Sequence, residues 1–187
     1  MSFISIIDGS LGGSAGNTGK VVEKIASTLD SADHDGAVFF LAEKMIHPDD
    51  LPKSDAFIFT TGTYWDSWGS PLQRFLELAT PTELKDPWVG KPVAIVVTGH
   101  SVGAKGILSR LMGVLNTFGM FIPPLCGMTY TLAASCAAEN AIGWEDDFWS
   151  LEDLNVVLYN LELASHIRGN WKVWNVDGNP SRIWIKE

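Results

Sequence analysis

Cysteine is scarce in this 187-residue chain: only Cys126 and Cys136 occur, without the C-x-x-C spacing of zinc, redox or iron–sulfur sites. Both are expected to be ordinary buried thiols, and no metal site is expected. Basic residues are also few. Thirteen Lys and Arg stand against 22 Asp and Glu, a formal net charge of −9 that repels nucleic-acid phosphates and anionic membrane surfaces at long range. No stretch approaches the roughly 20 apolar residues of a membrane span. The amino-terminal MSFISIIDGS has neither a basic segment nor a long apolar one. The expectation is a soluble, cytoplasmic protein with no nucleic-acid partner and no membrane span. No Pro/Gly/Ser-rich linker, internal repeat or low-complexity segment divides the chain, so one domain is expected. Its core covers about residues 3–168, with a carboxyl-terminal extension over 170–187.

What is present is an alternation of short apolar runs with helical periodicity. FISIID at 3–8 ends in a glycine-rich turn, and from Thr18 the residues Val21, Val22, Ile25, Ala26 and Leu29 mark one helix face. AVFFLA at 37–42 and AFIFTTG at 56–62 follow, the latter leading to a helix from about Ser70 to Ala79. PVAIVVTG at 92–99 leads to a helix carrying Ile107, Leu108, Leu111, Met112, Leu115 and Phe118 and stopped by Gly119. Met120 to Cys126 supplies a candidate fifth strand, with Pro123 and Pro124 near its edge or end. Near-continuous apolar strands between helices imply a doubly wound parallel sheet covered on both faces. Ser150 and Asp153 read as a capping box for a closing helix with Leu151, Leu154, Leu158 and Leu161 on one face, running to Gly169. WKVWNV and RIWIKE around DGNPS read as a terminal hairpin outside the core.

Ligands of such sheets bind beyond the carboxyl ends of the strands, which singles out three loops. Residues 9–18, GSLGGSAGNT, put glycines and polar side chains directly before a helix amino terminus, a favourable place for phosphate. A Walker loop is disfavoured, because Ser14 stands at its first glycine and Val21 follows Gly19-Lys20 where a hydroxyl is needed. The G-x-G-x-x-G fingerprint also fails, since Ser10 and Leu11 separate Gly9 from Gly12. Residues 62–69, GTYWDSWG, gather Tyr64, Trp65 and Trp68 with Thr63 and Ser67; such rings serve either a flat conjugated ligand or an oligomer contact. Residues 98–103, TGHSVG, contain Gly99-His100-Ser101-Val102-Gly103, which matches the nucleophile elbow of hydrolases. A triad would need Asp146 or Asp147 and His166, and His166 falls inside the closing helix.

GSLGGSAGNTGKVVEKIA, GTYWDSWGSPLQRFLE and GKPVAIVVTGHSVGAKGILSRLMGVLNTFGMFIPP, in that order, resemble segments of the NAD(P)H-dependent FMN reductase and flavodoxin-like quinone reductase family. The resemblance runs over nearly residues 3–168. The chain differs where many members carry an early arginine in the phosphate loop or Pro-x-Tyr in the second; here stand Gly12-Gly13 and Thr63-Tyr64-Trp65. The resemblance implies a flavodoxin-like five-stranded parallel sheet in the order 2-1-3-4-5, with helices on both faces and a carboxyl-terminal hairpin or extension. It implies FMN as cofactor and NADH or NADPH as co-substrate, with a quinone, free flavin or similar small acceptor. The expected cofactor-binding residues are Ser10, Gly16, Asn17 and Thr18 at the phosphate, and Thr63, Tyr64, Trp65, Asp66, Ser67, Trp68, Thr98, Gly99, His100 and Gly103 at the ring. No side chain is expected to act as catalytic acid or base, because the flavin carries the chemistry. Tyr130, Trp144 and Trp149 either wall the open ring face or pack. A flavodoxin-type electron carrier is the alternative, with a hydrolase using Ser101 behind it. The exposed aromatics point to a homodimer or homotetramer.

Overall fold

The computed structural model describes residues 2–143, 150–177 and 179–185. Five strands, β1 (Phe3–Asp8), β2 (Asp35–Phe40), β3 (Ala56–Gly62), β4 (Val93–Gly99) and β5 (Gly127–Thr131), form one parallel sheet in the order 2-1-3-4-5. This is the flavodoxin-like order. Strands β3 and β4 are central and buried nearly throughout, which is why their sequences are apolar without alternation.

Alternate side chains of the central strands enter two separate cores. Ala56, Ile58, Ala94 and Val96 face α1 (Asn17–Ser31) and α5 (Leu154–Ser165), through Val22, Ile25, Leu158 and Leu161. Phe57, Phe59, Ile95 and Val97 face α2 (Ser70–Ala79) and α3 (Ala104–Thr117), through Leu72, Phe75, Ile107 and Leu111. Trp88 is the hub of the second core. Its ring lies 5.1 Å from Phe57, 6.2 Å from Phe75 and 6.0 Å from Phe118, and its indole N–H donates to Thr82 Oγ1 at 2.9 Å, so its one polar atom is satisfied in the interior.

β2 lies two residues earlier than its apolar run, the fifth strand and the closing helix depart further from the sequence reading, and one element was not foreseen. The fifth strand is Gly127–Thr131, not 120–126, where the chain makes only an isolated bridge between Phe121 and Pro92. Pro123 and Pro124 lack the N–H a ladder needs, and Leu125 turns left-handed at φ 61°. The closing helix has the expected capping box at Ser150 and Asp153, through a short 3₁₀ turn, but ends at Ser165. A short helix, α4 (Leu132–Ala138), follows β5 directly, capped by the Thr131 hydroxyl accepting from the Ala134 N–H.

The carboxyl-terminal segment takes the form of an extension. Among its described residues after Ser165 there is no strand, and Trp174, Ile183 and Trp184 are exposed. Two short strands with no surface beneath them do not hold together in water. Trp171 is anchored, stacked on Phe121 at 5.8 Å. Of the two cysteines, Cys126 is buried, its thiol pushed up to about 12 by burial, whereas Cys136 is exposed on α4 rather than buried.

Replacing Trp88 with Ala empties the centre of an aromatic cluster, and the expected cost is about 3–5 kcal/mol. Urea unfolding of the variant and the parent measures it.

Candidate functional site

The first loop is placed by two backbone contacts that only glycine permits. A Cβ on Gly9 would lie 2.2 Å from Leu72 Cβ, and one on Gly69 would lie 2.2 Å from the Gly9 carbonyl oxygen. The ends of β1 and the start of α2 therefore touch backbone to backbone. Gly69 N–H donates to Thr61 Oγ1 at 3.0 Å, and Gly9 N–H to the Thr60 carbonyl at 2.8 Å, which locks the junction.

A cleft of about 720 Å³ opens above the carboxyl ends of β1, β3 and β4. The first loop and α1 bring Ser10, Gly16, Asn17 and Thr18 to it, together with Leu11, Gly12, Lys20 and Val21. Gly16 is the N-cap of α1 and gives no side-chain cap, so the amides of the first helical turn are left to a ligand or water. Thr18 Oγ1 lies 2.7 Å from Thr98 Oγ1, joining the helix start to the end of β4. Lys20 alone among the described lining residues carries a fixed charge.

The loop has a second side that faces away from the cleft. Glu43, which does not line the cleft, accepts from the Ser14 N–H at 2.7 Å and the Ser14 hydroxyl at 2.5 Å. Those two bonds hold its carboxyl below the usual carboxylate range. Beneath the loop the Asp8 carboxylate is fully buried, 2.6 Å from Ser10 Oγ and 2.7 Å from Thr60 Oγ1. Burial pushes its pKa up, with a smaller push from Glu43, against the lowering effect of the two hydroxyls and the Ser10 backbone N–H.

The second loop contributes Gly62, Thr63 and Tyr64 to the cleft, and its remaining residues do not line it. Tyr64 and Ser67 exchange backbone hydrogen bonds of 2.8 and 2.9 Å around Trp65 and Asp66, both left-handed at φ 49° and 58°. In this tight turn Trp65 is fully exposed. Trp68 turns toward a groove between α2 and α3, with its indole N–H on Gln73 and the Arg110 guanidinium 5.5 Å over its ring. Arg110 also donates to the Asp66 carbonyl. Tyr64 turns the other way, and its hydroxyl accepts from the Leu11 N–H at 2.9 Å, bridging loops one and two.

From the third loop Thr98, Gly99 and His100 line the cleft. Gly103 instead caps α3 at φ 89°, where a Cβ would meet Asp66 Oδ1 at 2.4 Å. The left-handed residue of this turn is thus Gly103 and not Ser101, so the strained nucleophile of a hydrolase elbow is absent. His166 is bonded to Glu162 on α5 at 2.8 Å. Asp146 and Asp147 lie outside the described residues, as do Trp144 and Trp149.

Residues beyond the three loops complete the cleft. Tyr130, Leu132 and Ser135 of β5 and α4 line it, as does Leu151. The sequence leaves Tyr130 open between wall and packing, and Leu132 and Ser135 carry no signal in it, because the short helix buries no residue. The backbone ties α4 to the third loop, Ala133 N–H donating to the His100 carbonyl at 2.9 Å.

The arrangement fits a flavin nucleotide. Its lining combines the uncapped helix terminus and hydroxyls, which can hold a phosphate, with Tyr64, Tyr130 and Leu132, which offer apolar surface to a ring. Two substitutions probe this geometry. Gly69→Ala is expected to cost about 1–3 kcal/mol by prising the loops apart, and to weaken flavin binding with it; thermal unfolding and a flavin titration report both. Asp8→Asn tests the buried charge. A folded pKa above the unfolded one means stability present at low pH and lost as pH rises through the folded value. The melting temperature of the parent, relative to Asp8→Asn, is therefore expected to fall as pH rises.

The model of the family described as NADPH-dependent FMN reductase matches residues 3–135. No curated protein sequence matches the chain significantly. Among solved structures, RosB with a bound 8-demethyl-8-formylriboflavin-5′-phosphate intermediate superposes with a TM-score of 0.70 at 11% identity, covering 100% of this chain and 95% of that one. A flavodoxin from the domain Archaea gives 0.62 at 15%, covering 88% and 99%. Flavodoxin 1 from Bacillus cereus gives 0.62 at 15%, covering 89% and 100%. These likenesses show the fold. With the family model spanning most of the chain, the protein belongs to the NADPH-dependent FMN reductase family and is an FMN-dependent oxidoreductase of flavodoxin-like fold.

Proposed function

We propose that the protein passes reducing equivalents from NADH or NADPH, through FMN held in the cleft, to a small acceptor such as a quinone or free flavin. The observation that carries this reading is the wall that β5 and α4 add to the cleft. Tyr130, Leu132 and Ser135 extend it beyond the three flavin loops, and Leu132 and Leu11 are half exposed, giving an apolar seat for a small planar molecule. A carrier that docks to redox proteins has no need of such a seat.

FMN, when bound, supplies the hydride and electron transfer itself. The chain's own residues bind and orient. In this reading the amides of Asn17 and Thr18, with the Ser10 and Thr18 hydroxyls, hold the phosphate at the helix terminus. Thr63, Tyr64, Thr98, Gly99 and His100 hold the ring. Trp65, Trp68, Asp66, Ser67 and Gly103 support the loops from outside the cleft. RosB, of the same fold, binds a riboflavin phosphate derivative, which agrees with a flavin nucleotide in this cleft. The acidic net charge suits a small acceptor rather than nucleic acid. The exposed tryptophans of the extension fit a homodimer or homotetramer.

The protein is expected to retain flavin absorbance after incubation with FMN and desalting, and to bleach anaerobically on addition of NADH or NADPH. Return of colour on adding a quinone or free flavin, with turnover, supports the reductase. Retained colour that nicotinamide does not bleach favours an electron carrier, and a colourless protein sinks both. Tyr64→Phe removes the acceptor of the Leu11 N–H, and FMN affinity is expected to fall about five- to tenfold, as befits one hydrogen bond of roughly 1 kcal/mol; quenching of flavin fluorescence measures it.

A further inference from the structure

The buried carboxyl at the end of β1 has no part in the function described so far. We propose that Asp8 is a positioning residue of the phosphate cradle: it takes up a proton when a flavin phosphate binds, and thereby turns the Ser10 hydroxyl proton from Asp8 into the cleft. This rests on the reading that FMN occupies the cleft.

The argument is one of counting protons. Asp8 is fully buried, with Oδ2 2.6 Å from Ser10 Oγ and Oδ1 2.7 Å from Thr60 Oγ1. While Asp8 is ionised, both hydroxyls must donate to it. A serine hydroxyl has one proton, so Ser10, which lines the cleft, then offers only lone pairs there. A phosphate dianion also offers only lone pairs, and the contact is repulsive. With Asp8 protonated the Ser10 bond reverses and the Thr60 bond is kept. The carboxylic acid donates to Ser10 Oγ, Thr60 still donates to the carbonyl oxygen, and the Ser10 proton is free for the phosphate.

Charge points the same way. Among the described residues no ion pair involves Asp8, so an ionised Asp8 would be an unpaired buried anion directly beneath a second anion. The neighbouring β3 presents Thr60, and the start of α2 presents Gly69 and Leu72, all neutral. The turn after β2 presents Glu43, which is acidic and opposes ionisation of Asp8. On α1, Lys20 lines the cleft but pairs with Glu23 at 3.0 Å. Burial already holds the Asp8 carboxyl above its ordinary range, so the proton comes from solvent at little cost.

The test is calorimetric titration of the flavin-free full chain with FMN and with riboflavin, in buffers of different ionisation heat, across about pH 5 to 8. Where Asp8 is ionised in the free protein, the parent is expected to take up close to one proton more with FMN than Asp8→Asn does, while riboflavin, which lacks the phosphate, produces no such difference. Above the Asp8 titration the parent's FMN affinity should fall relative to Asp8→Asn by up to about tenfold per pH unit. The ionisation of FMN itself cancels between the two proteins. Ser10→Ala provides a second variant should Asp8→Asn fail to fold. With no hydroxyl proton to turn between Asp8 and the phosphate, the extra proton uptake should vanish there too. Equal proton counts and parallel pH profiles, with both flavins bound, overturn the proposal alone; failure to bind either flavin overturns the FMN reading and the proposal together.

Discussion

The backbone contact between Gly9 and Gly69 is the constraint on which the cleft depends. A Cβ at either position would drive into Leu72 or into the Gly9 carbonyl, so the ends of β1 and β3 can deliver their loops to one place only if both residues lack a side chain. From that junction the remaining geometry follows in steps. Gly9 holds Ser10 over Asp8; Gly69 holds the second loop so that Tyr64 reaches Leu11; and the Thr61 hydroxyl closes the gap by accepting from Gly69. The loops are separate in sequence but mechanically one unit.

Much of this was legible in the chain because the fold writes itself twice, once in apolar runs and once in glycines. β3 and α2 were read to the residue, since AFIFTTG is buried on both faces and SPLQRFLELA begins with proline at a helix start. β5 was misplaced because Met120 to Cys126 is as apolar as GMTYT is not. The true strand is short and only partly buried, and only the prolines and the left-handed Leu125 betray that the preceding stretch cannot extend. α4 was missed for the opposite reason: LAASCAA buries nothing, so it has no amphipathic period to detect.

The candidate site was legible as loops but less so as side chains. Composition marks GTYWDSWG as aromatic, yet it cannot say which rings face inward, and that is decided by a two-residue turn with φ positive at Trp65 and Asp66. The turn throws Trp65 into solvent and sends Trp68 to Gln73 and Arg110, leaving Tyr64 for the cleft. Gly103 looked like a ring contact for the same reason. Its glycine is required by a left-handed helix cap against Asp66, and the residue does not line the cleft.

On the proposed reading a protein with net charge −9 holds a phosphate, an electrostatic difficulty that the cleft answers locally. Only Lys20 among its described lining residues carries a fixed charge. The remaining attraction comes from fixed dipoles: the terminus of α1, equivalent to roughly half an elementary charge, and hydroxyls a few ångströms away. Such donors act at short range and are insensitive to the distant acidic surface, whose influence is screened within about 10 Å at ordinary ionic strength. Discrimination then rests on whether each hydroxyl has a proton to give. That is why the orientation of Ser10 matters more than the charge of the protein as a whole, and why the carboxyl beneath it is placed where it can decide that orientation.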